Sequence, residues 1–177
     1  KVNSANIAMV YLSVGAVLAG IYSEFFQQPT TVNGWPDMAH LVPNTTRIDT
    51  QMYIPQASFP TGYADNFSSR HTAYVKITTG GNHTFTISAD DDTRVYVDEV
   101  LVIQQTYSTS STASSASLFL TPGYHGVRVE FVEFSGGNYF TLSWSGPGVS
   151  GTVPASVFFR AAPVSLTATA ATGITAS

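Results

Sequence analysis

His83-Thr-Phe-Thr-Ile-Ser-Ala-Asp-Asp-Asp-Thr-Arg-Val-Tyr-Val97 is the stretch that decides the fold. From His83 to Ala89 apolar and polar residues alternate. Phe85 and Ile87 fall on one face and Thr84 and Thr86 on the other, which is the period of a half-buried β-strand. Three consecutive aspartates, Asp90, Asp91 and Asp92, interrupt the pattern, and Arg94-Val-Tyr-Val resumes it. Asp98-Glu99 then turns the chain, and Val100-Leu-Val-Ile returns. Upstream, Tyr74-Val-Lys-Ile alternates and Thr79-Gly-Gly-Asn82 supplies turn chemistry. Downstream, Leu118-Phe-Leu leads into Thr121-Pro-Gly-Tyr124, with proline at the second turn position. Gly126–Val132 puts Val127, Val129 and Phe131 on one face, Gly136-Gly-Asn138 turns again, and Tyr139–Trp144 aligns Phe140, Leu142 and Trp144. Short strands at intervals of roughly ten residues, separated by Gly/Pro turns, predict an all-β fold, an antiparallel sandwich or barrel. No helical periodicity of useful length appears.

The 177 residues suit one domain or slightly more. Charged residues make up 10% of the chain, against about 25% in an ordinary soluble domain. Serine (20) and threonine (22) carry much of the polarity instead. Lys1 and Lys76 are the only lysines and the net charge is −4. No cationic cluster exists to grip a phosphate backbone, so a nucleic-acid partner is disfavoured. The absence of cysteine excludes thiol catalysis, thiolate zinc sites and a disulfide framework. Lys1 in the place of an initiator Met is read as the mark of a chain processed or cut from something longer.

The apolar run Ile7–Gly20 is 14 residues long and contains Ser13 and Gly15. That is short of the ~20 a spanning helix needs, so no membrane span is expected. We expect a buried strand or strand pair there, since continuous apolar runs suit strands covered on both faces. Residues 27–63, rich in Pro, Thr and Asn, are expected to be long connections over the sandwich. Thr106–Ser117 is expected to be a mobile loop or a flat, weakly held strand, and the segment after Pro163 is strand-like.

Five ordered blocks resemble the PA-fourteen domain family, named for bacterial protective antigen. They are Gly20-Ile-Tyr-Ser-Glu-Phe-Phe26; Asn66-Phe-Ser-Ser-Arg70 with Tyr74-Val75; Phe85 to Asp98 through the aspartate triad; Leu120-Thr-Pro-Gly-Tyr-His-Gly-Val-Arg-Val-Glu130; and Tyr139-Phe-Thr-Leu-Ser-Trp-Ser-Gly-Pro-Gly148. The resemblance covers residues 20–150 and leaves segments 1–19 and 151–177 as strand-like flanks. It implies a β-sandwich of the kind found in adhesins, glycosidases, toxins and cell-wall proteins, placed outside the cell, at its surface or secreted. It also implies glycans as partners, bound in several members through Ca²⁺.

The triad is the one concentrated charge in the chain. A hard cation takes six to eight oxygens, and adjacent carboxylates at a strand-end turn supply several. The resemblance assigns the metal to Asp90 and Asp91, joined by a cis peptide, with Asp92 beside them near the ligand. It further implies a second loop, here Glu133-Phe-Ser-Gly-Gly-Asn138, in which Phe134 stands where an amide ligand is expected and Gly136 and Asn138 offer carbonyls. A one-residue shift brings in Ser135 or Glu133 instead. The plain alternative is a solvated turn, for which Asp is well suited, with the glycines as hairpin chemistry.

Trp35 and Tyr107 are candidates to stack on a sugar ring, whereas Trp144, on an alternating strand, belongs to the core. The four His have no metal-ligand spacing, and three Asn-X-Ser/Thr triplets begin at Asn44, Asn66 and Asn82. No nucleophile or acid–base pair announces itself, so an enzyme is not expected. Glu130 and Glu133, three apart on a strand, face opposite ways. Two readings follow. One is an extracellular adhesin-type sugar-binding module within a larger surface assembly. The other is a structural subunit of an extracellular filament, a homo-oligomer or homopolymer joined by strand exchange of its terminal segments, with the glycan site vestigial.

Overall fold

The structure, a computed structural model, describes residues 16–27, 35–106 and 110–162. Residues before 16 and after 162, and with them most of the Ile7–Gly20 run and the segment after Pro163, lie outside the described residues. Fourteen strands account for nearly all the regular structure: β1 (Val17–Ala19), β2 (Ile21–Gln27), β3 (Thr45–Asp49), β4 (Tyr53–Ile54), β5 (Phe67–Ile77), β6 (Gly81–Asp90), β7 (Asp92–Val97), β8 (Val100–Gln105), β9 (Ser111–Ser114), β10 (Leu118–Leu120), β11 (Gly123–Glu133), β12 (Tyr139–Gly146), β13 (Val149–Thr152) and β14 (Phe158–Ala161).

The strands form two antiparallel sheets. The larger runs β1-β14-β5-β11-β7-β8, with β2 on the same side of β5 as β14 and β3 outside β2. The smaller runs β10-β6-β12-β13, with β4 on β12 and β9 on β6. This is an open sandwich rather than a closed barrel. Every second residue of β5 from Phe67 to Ile77 is buried, as are His83, Phe85, Ile87 and Ala89 of β6 and Val127, Val129 and Phe131 of β11. These faces meet in one core centred on Phe25, Phe67, Phe85, Phe131 and Phe140, into which Trp144 also packs. Burial of such side chains at about 1.5–3 kcal/mol each is the main drive for the two sheets to close.

Two expectations about the connections are corrected, and for a third the strand alternative is the one found. Val17–Ala19 is a strand, but an exposed one. It lies at the sheet edge with β14 alone beside it, and Val17 and Leu18 stay 42% and 39% exposed. Its pairing with Phe159–Ala161 also shows that the described ends join each other within one body. Residues 27–63 are not connections throughout, because β3 adds to β2 over Thr45–Asp49 and β4 to β12. The Ser/Thr segment is held as a strand over Ser111–Ser114 by its ladder to β6.

Candidate functional site

Strand β6 ends at Asp90 and β7 begins at Asp92, so Asp91 alone carries the chain from the smaller sheet to the larger. The Asp90–Asp91 peptide bond is cis. At the same end of the sandwich β11 finishes at Glu133 and turns into β12. The Phe134 N–H donates to Asp91 Oδ2 (2.8 Å), and the Asn66 N–H donates to the Phe134 carbonyl (3.2 Å). The Gly136 N–H donates to Asp65 Oδ1 (2.9 Å), while Asn138 Nδ2 donates to the carbonyls of Ala64 (3.0 Å) and Tyr63 (3.3 Å). Three segments, 63–66, 90–91 and 133–138, are thus tied into one cluster of loops. Gly136 has φ 106°, in the region that favours glycine. A Cβ on Gly137 would stand 3.3 Å from Asp90 Oδ2, so the second loop passes close over that carboxylate.

Asp91, Glu133 and Asn138 are buried. Asp91 Oδ1, both Glu133 carboxyl oxygens and Asn138 Oδ1 have no hydrogen-bond donor. A buried acceptor left in that state costs about 1–3 kcal/mol. Burial, followed by repulsion from Asp91, Asp90 and Asp65, pushes the Glu133 carboxyl up to about 9. Burial first, and then the hydrogen bond and charge of Asp91, also raises Asp90. None of these four carboxyls forms an ion pair among the described residues. Oxygen acceptors crowded together with surplus negative charge call for protons or a cation. Among the described residues no three His, Cys, Asp or Glu side chains are gathered into a ready metal cage.

Asp90, Asp91, Gly136 and Asn138 are brought together as the sequence suggested. Other candidates go elsewhere. The Phe134 side chain packs with Trp35 on a small apolar cluster of Phe26, Met38 and Val132. It is the Phe134 backbone that bonds Asp91. Trp35 has the Arg94 guanidinium over its ring, 4.2 Å from the centroid, which takes one of its two stacking faces. Asp92 is buried and pairs with Val132, so it shares the outward face of the sheet with that cluster and not the inward face of Glu133. Tyr107 lies outside the described residues.

Sequence reasoning missed Asp65 and considered Glu133 only as a register shift. The signal for Glu133 was present, because Val127, Val129 and Phe131 point inward and the next residue of that period is Glu133.

A family model described as the PA14 domain matches residues 19–157. The chain belongs to the PA14 domain family. No curated protein sequence matches it significantly. Among solved structures, this PA14 domain is similar to an anti-sigma factor domain-containing protein from Clostridium clariflavum, at 22% identity and TM-score 0.65. That match covers 87% of this chain and 52% of the other, so the chain spans about half the length of that relative. It is also similar to the PA14 sugar-binding domain from an RTX adhesin (15% identity, TM-score 0.67, 78% and 97% covered). A third similar structure is the Epithelial Adhesin 9 A domain from Candida glabrata in complex with Galβ1-4GlcNAc (12% identity, TM-score 0.60, 82% and 91% covered).

Proposed function

We propose that this PA14 domain is an adhesin-type carbohydrate-binding module acting outside the cell, with its sugar site at the Asp90–Asp91 turn. The observation that carries the reading is the convergence there of buried oxygen acceptors without donors, in a setting of unpaired carboxylates. The donor set is hard oxygen throughout, which suits Ca²⁺ over softer metals. Asp90 and Asp91 would hold the ion, with backbone oxygens of the 134–138 loop and the Asn138 amide filling its shell. When bound, Ca²⁺ would supply charge neutralisation and open coordination positions for vicinal sugar hydroxyls. The chain's own residues do the rest. Phe134 N–H fixes the orientation of Asp91, Asp65 holds the loop through Gly136, and Asn138 pins the loop to residues 63–64. The PA14 sugar-binding domain and the adhesin–disaccharide complex among the similar structures support the same reading.

Calorimetric titration of CaCl2 into chelator-stripped protein tests it. Wild type should bind one ion and gain thermal stability, while Asp90→Asn with Asp91→Asn should do neither. Folded wild type that gives no heat and no stabilisation would refute the metal site.

One observation favours a second reading, assembly into a surface polymer. The Ala162 N–H donates to the Ala16 carbonyl (3.2 Å), so both flanks depart from one sheet edge. There β1 has no outer neighbour among the described residues, and Val17 and Leu18 are exposed. Light scattering on the chain with and without residues 1–15 tests this reading. Large particles that become monomers on deletion support it, and a monomer in both cases refutes it.

A further inference from the structure

The outward face of the larger sheet carries a groove whose central rung lies four residues along β7 from Asp92. A rung of paired residues crosses five strands as Ile48–Tyr22–Thr72–Arg128–Tyr96. On one side of it the rung Glu24–Arg70–Glu130–Arg94 is charged. On the other, Tyr74 pairs with Gly126, an outward position without a side chain. Glycine there leaves depth beside Tyr74, and β14 closes the end of the feature with Arg160 and Ala161. The result is a half-open groove of about 660 Å³. Tyr22 and Tyr74 are 41% and 39% exposed, so ring surface is available to a ligand.

Charge distinguishes this groove from an ordinary sheet face. The chain carries net −4, yet three of its five arginines, Arg70, Arg128 and Arg160, line one groove with only Glu24 and Glu99. Arg70 is held by both oxygens of Glu24 (2.7 and 3.0 Å). Arg128 lies 4.0 Å over the Tyr96 ring and pairs with Glu99 (3.1 Å). The Arg160 side chain forms no hydrogen bond or ion pair among the described residues, and its Nε is buried without a partner. Among the described residues the groove therefore holds one guanidinium without a partner, beside exposed tyrosine rings and the Thr72 hydroxyl.

We infer that this groove is a second binding site, for an acidic saccharide of the hexuronate class. Tyrosine faces take the apolar face of a pyranose ring, and phenolic and threonine hydroxyls suit its hydroxyls. A guanidinium recognises a carboxylate with two parallel hydrogen bonds. A lipid chain would want an enclosed apolar tunnel, whereas this groove is open and edged with charge. The site is independent of the Asp90–Asp91 turn and needs no metal.

The test is calorimetric titration of the full chain in excess chelator with trigalacturonate and with neutral galactotriose. Trigalacturonate should bind at least tenfold more tightly. Arg160→Gln should bring the two sugars to equal affinity, Arg160→Lys should retain part of the preference, and Tyr74→Ser should weaken both. Asp90→Asn with Asp91→Asn should leave trigalacturonate binding unchanged, which separates this site from the proposed calcium site. Melting curves establish that each variant is folded. Equal affinity of wild type for both sugars, no binding of either, or a preference that survives Arg160→Gln would overturn the inference. Acquisition of binding only after residues 1–15 are removed would overturn it too, showing that the chain itself fills the groove.

Discussion

His71 makes the fold sensitive to acid in a way that can be worked out from its surroundings. The imidazole is fully buried, edge-on to Phe25 and tilted against Phe140, with ring centroids at 5.6 and 4.8 Å. Its two nitrogens hydrogen-bond with Ser23 Oγ (2.8 Å) and Ser69 Oγ (2.9 Å). Serine hydroxyls both donate and accept, so they satisfy a neutral ring completely. Burial, with a smaller push from the Arg47 charge, lowers its pKa to about 3. Asp49 is 4.0 Å from Nδ1, too far to reverse that cost. The unfolded chain takes up a proton near pH 6.5 and the folded one does not. Below pH 6.5 stability must therefore fall with decreasing pH, by up to about 1.4 kcal/mol per unit. From pH 6.5 to 4.5 the loss from this one group is about 2.3 kcal/mol, since the slope is only half its full value at pH 6.5. Urea unfolding of wild type and His71→Gln across that range isolates it, because the other titrating groups cancel in the difference. The wild-type advantage should shrink with falling pH at nearly the full slope. Parallel curves would refute a buried neutral histidine, and a growing advantage would mean a charged ring paired with Asp49.

Other predictions rest on packing and backbone. Phe131, buried between Phe59, Phe67 and Phe140, should cost about 3–5 kcal/mol on replacement by alanine, read as a lower urea midpoint. Gly20 joins β1 to β2 at φ 107°, and a Cβ there would meet Ile48 Cγ2 at 2.7 Å and the Asp49 carbonyl at 3.0 Å. Gly20→Ala should therefore destabilise by about 2 kcal/mol in thermal melts, from strain and clash together. Asp98, at φ 47° in the β7–β8 turn, accepts from the Gly126 N–H (2.8 Å) and bonds His125. Asp98→Ala should lose about 1–3 kcal/mol, and Asp98→Asn, which keeps the acceptor, should lose less.

Much of the fold was legible because its strands bury one face. His83 to Asp90 and Phe67 to Ile77 alternate residue by residue, and the two sheets close on those faces. Thr45–Asp49 was not legible, since Thr-Thr-Arg-Ile-Asp has a single apolar residue and owes its strand to the free edge of β2. Val17–Ala19 misled for the opposite reason, as an apolar run promises burial that an edge strand does not receive. At the site, the aspartate triad was plain because nothing else interrupts a clean alternation with charge. Its partners were harder. Asp65 reaches the site across 71 residues through the Gly136 N–H, and no local pattern encodes that meeting. Nothing near Trp35 in sequence announces Arg94, which covers one face of its ring from a distant strand. The arginine groove arises from β-ladder register across five strands, which no single segment reveals.

The most direct test of the central claim is a glycan array probed with the intact domain in calcium and again in chelator, beside Asp90→Asn with Asp91→Asn. A defined set of glycans should bind in calcium and be lost both in chelator and in the variant, apart from acidic sugars held by the arginine groove. Neutral glycans bound equally in all three conditions, or none bound in calcium, would contradict it.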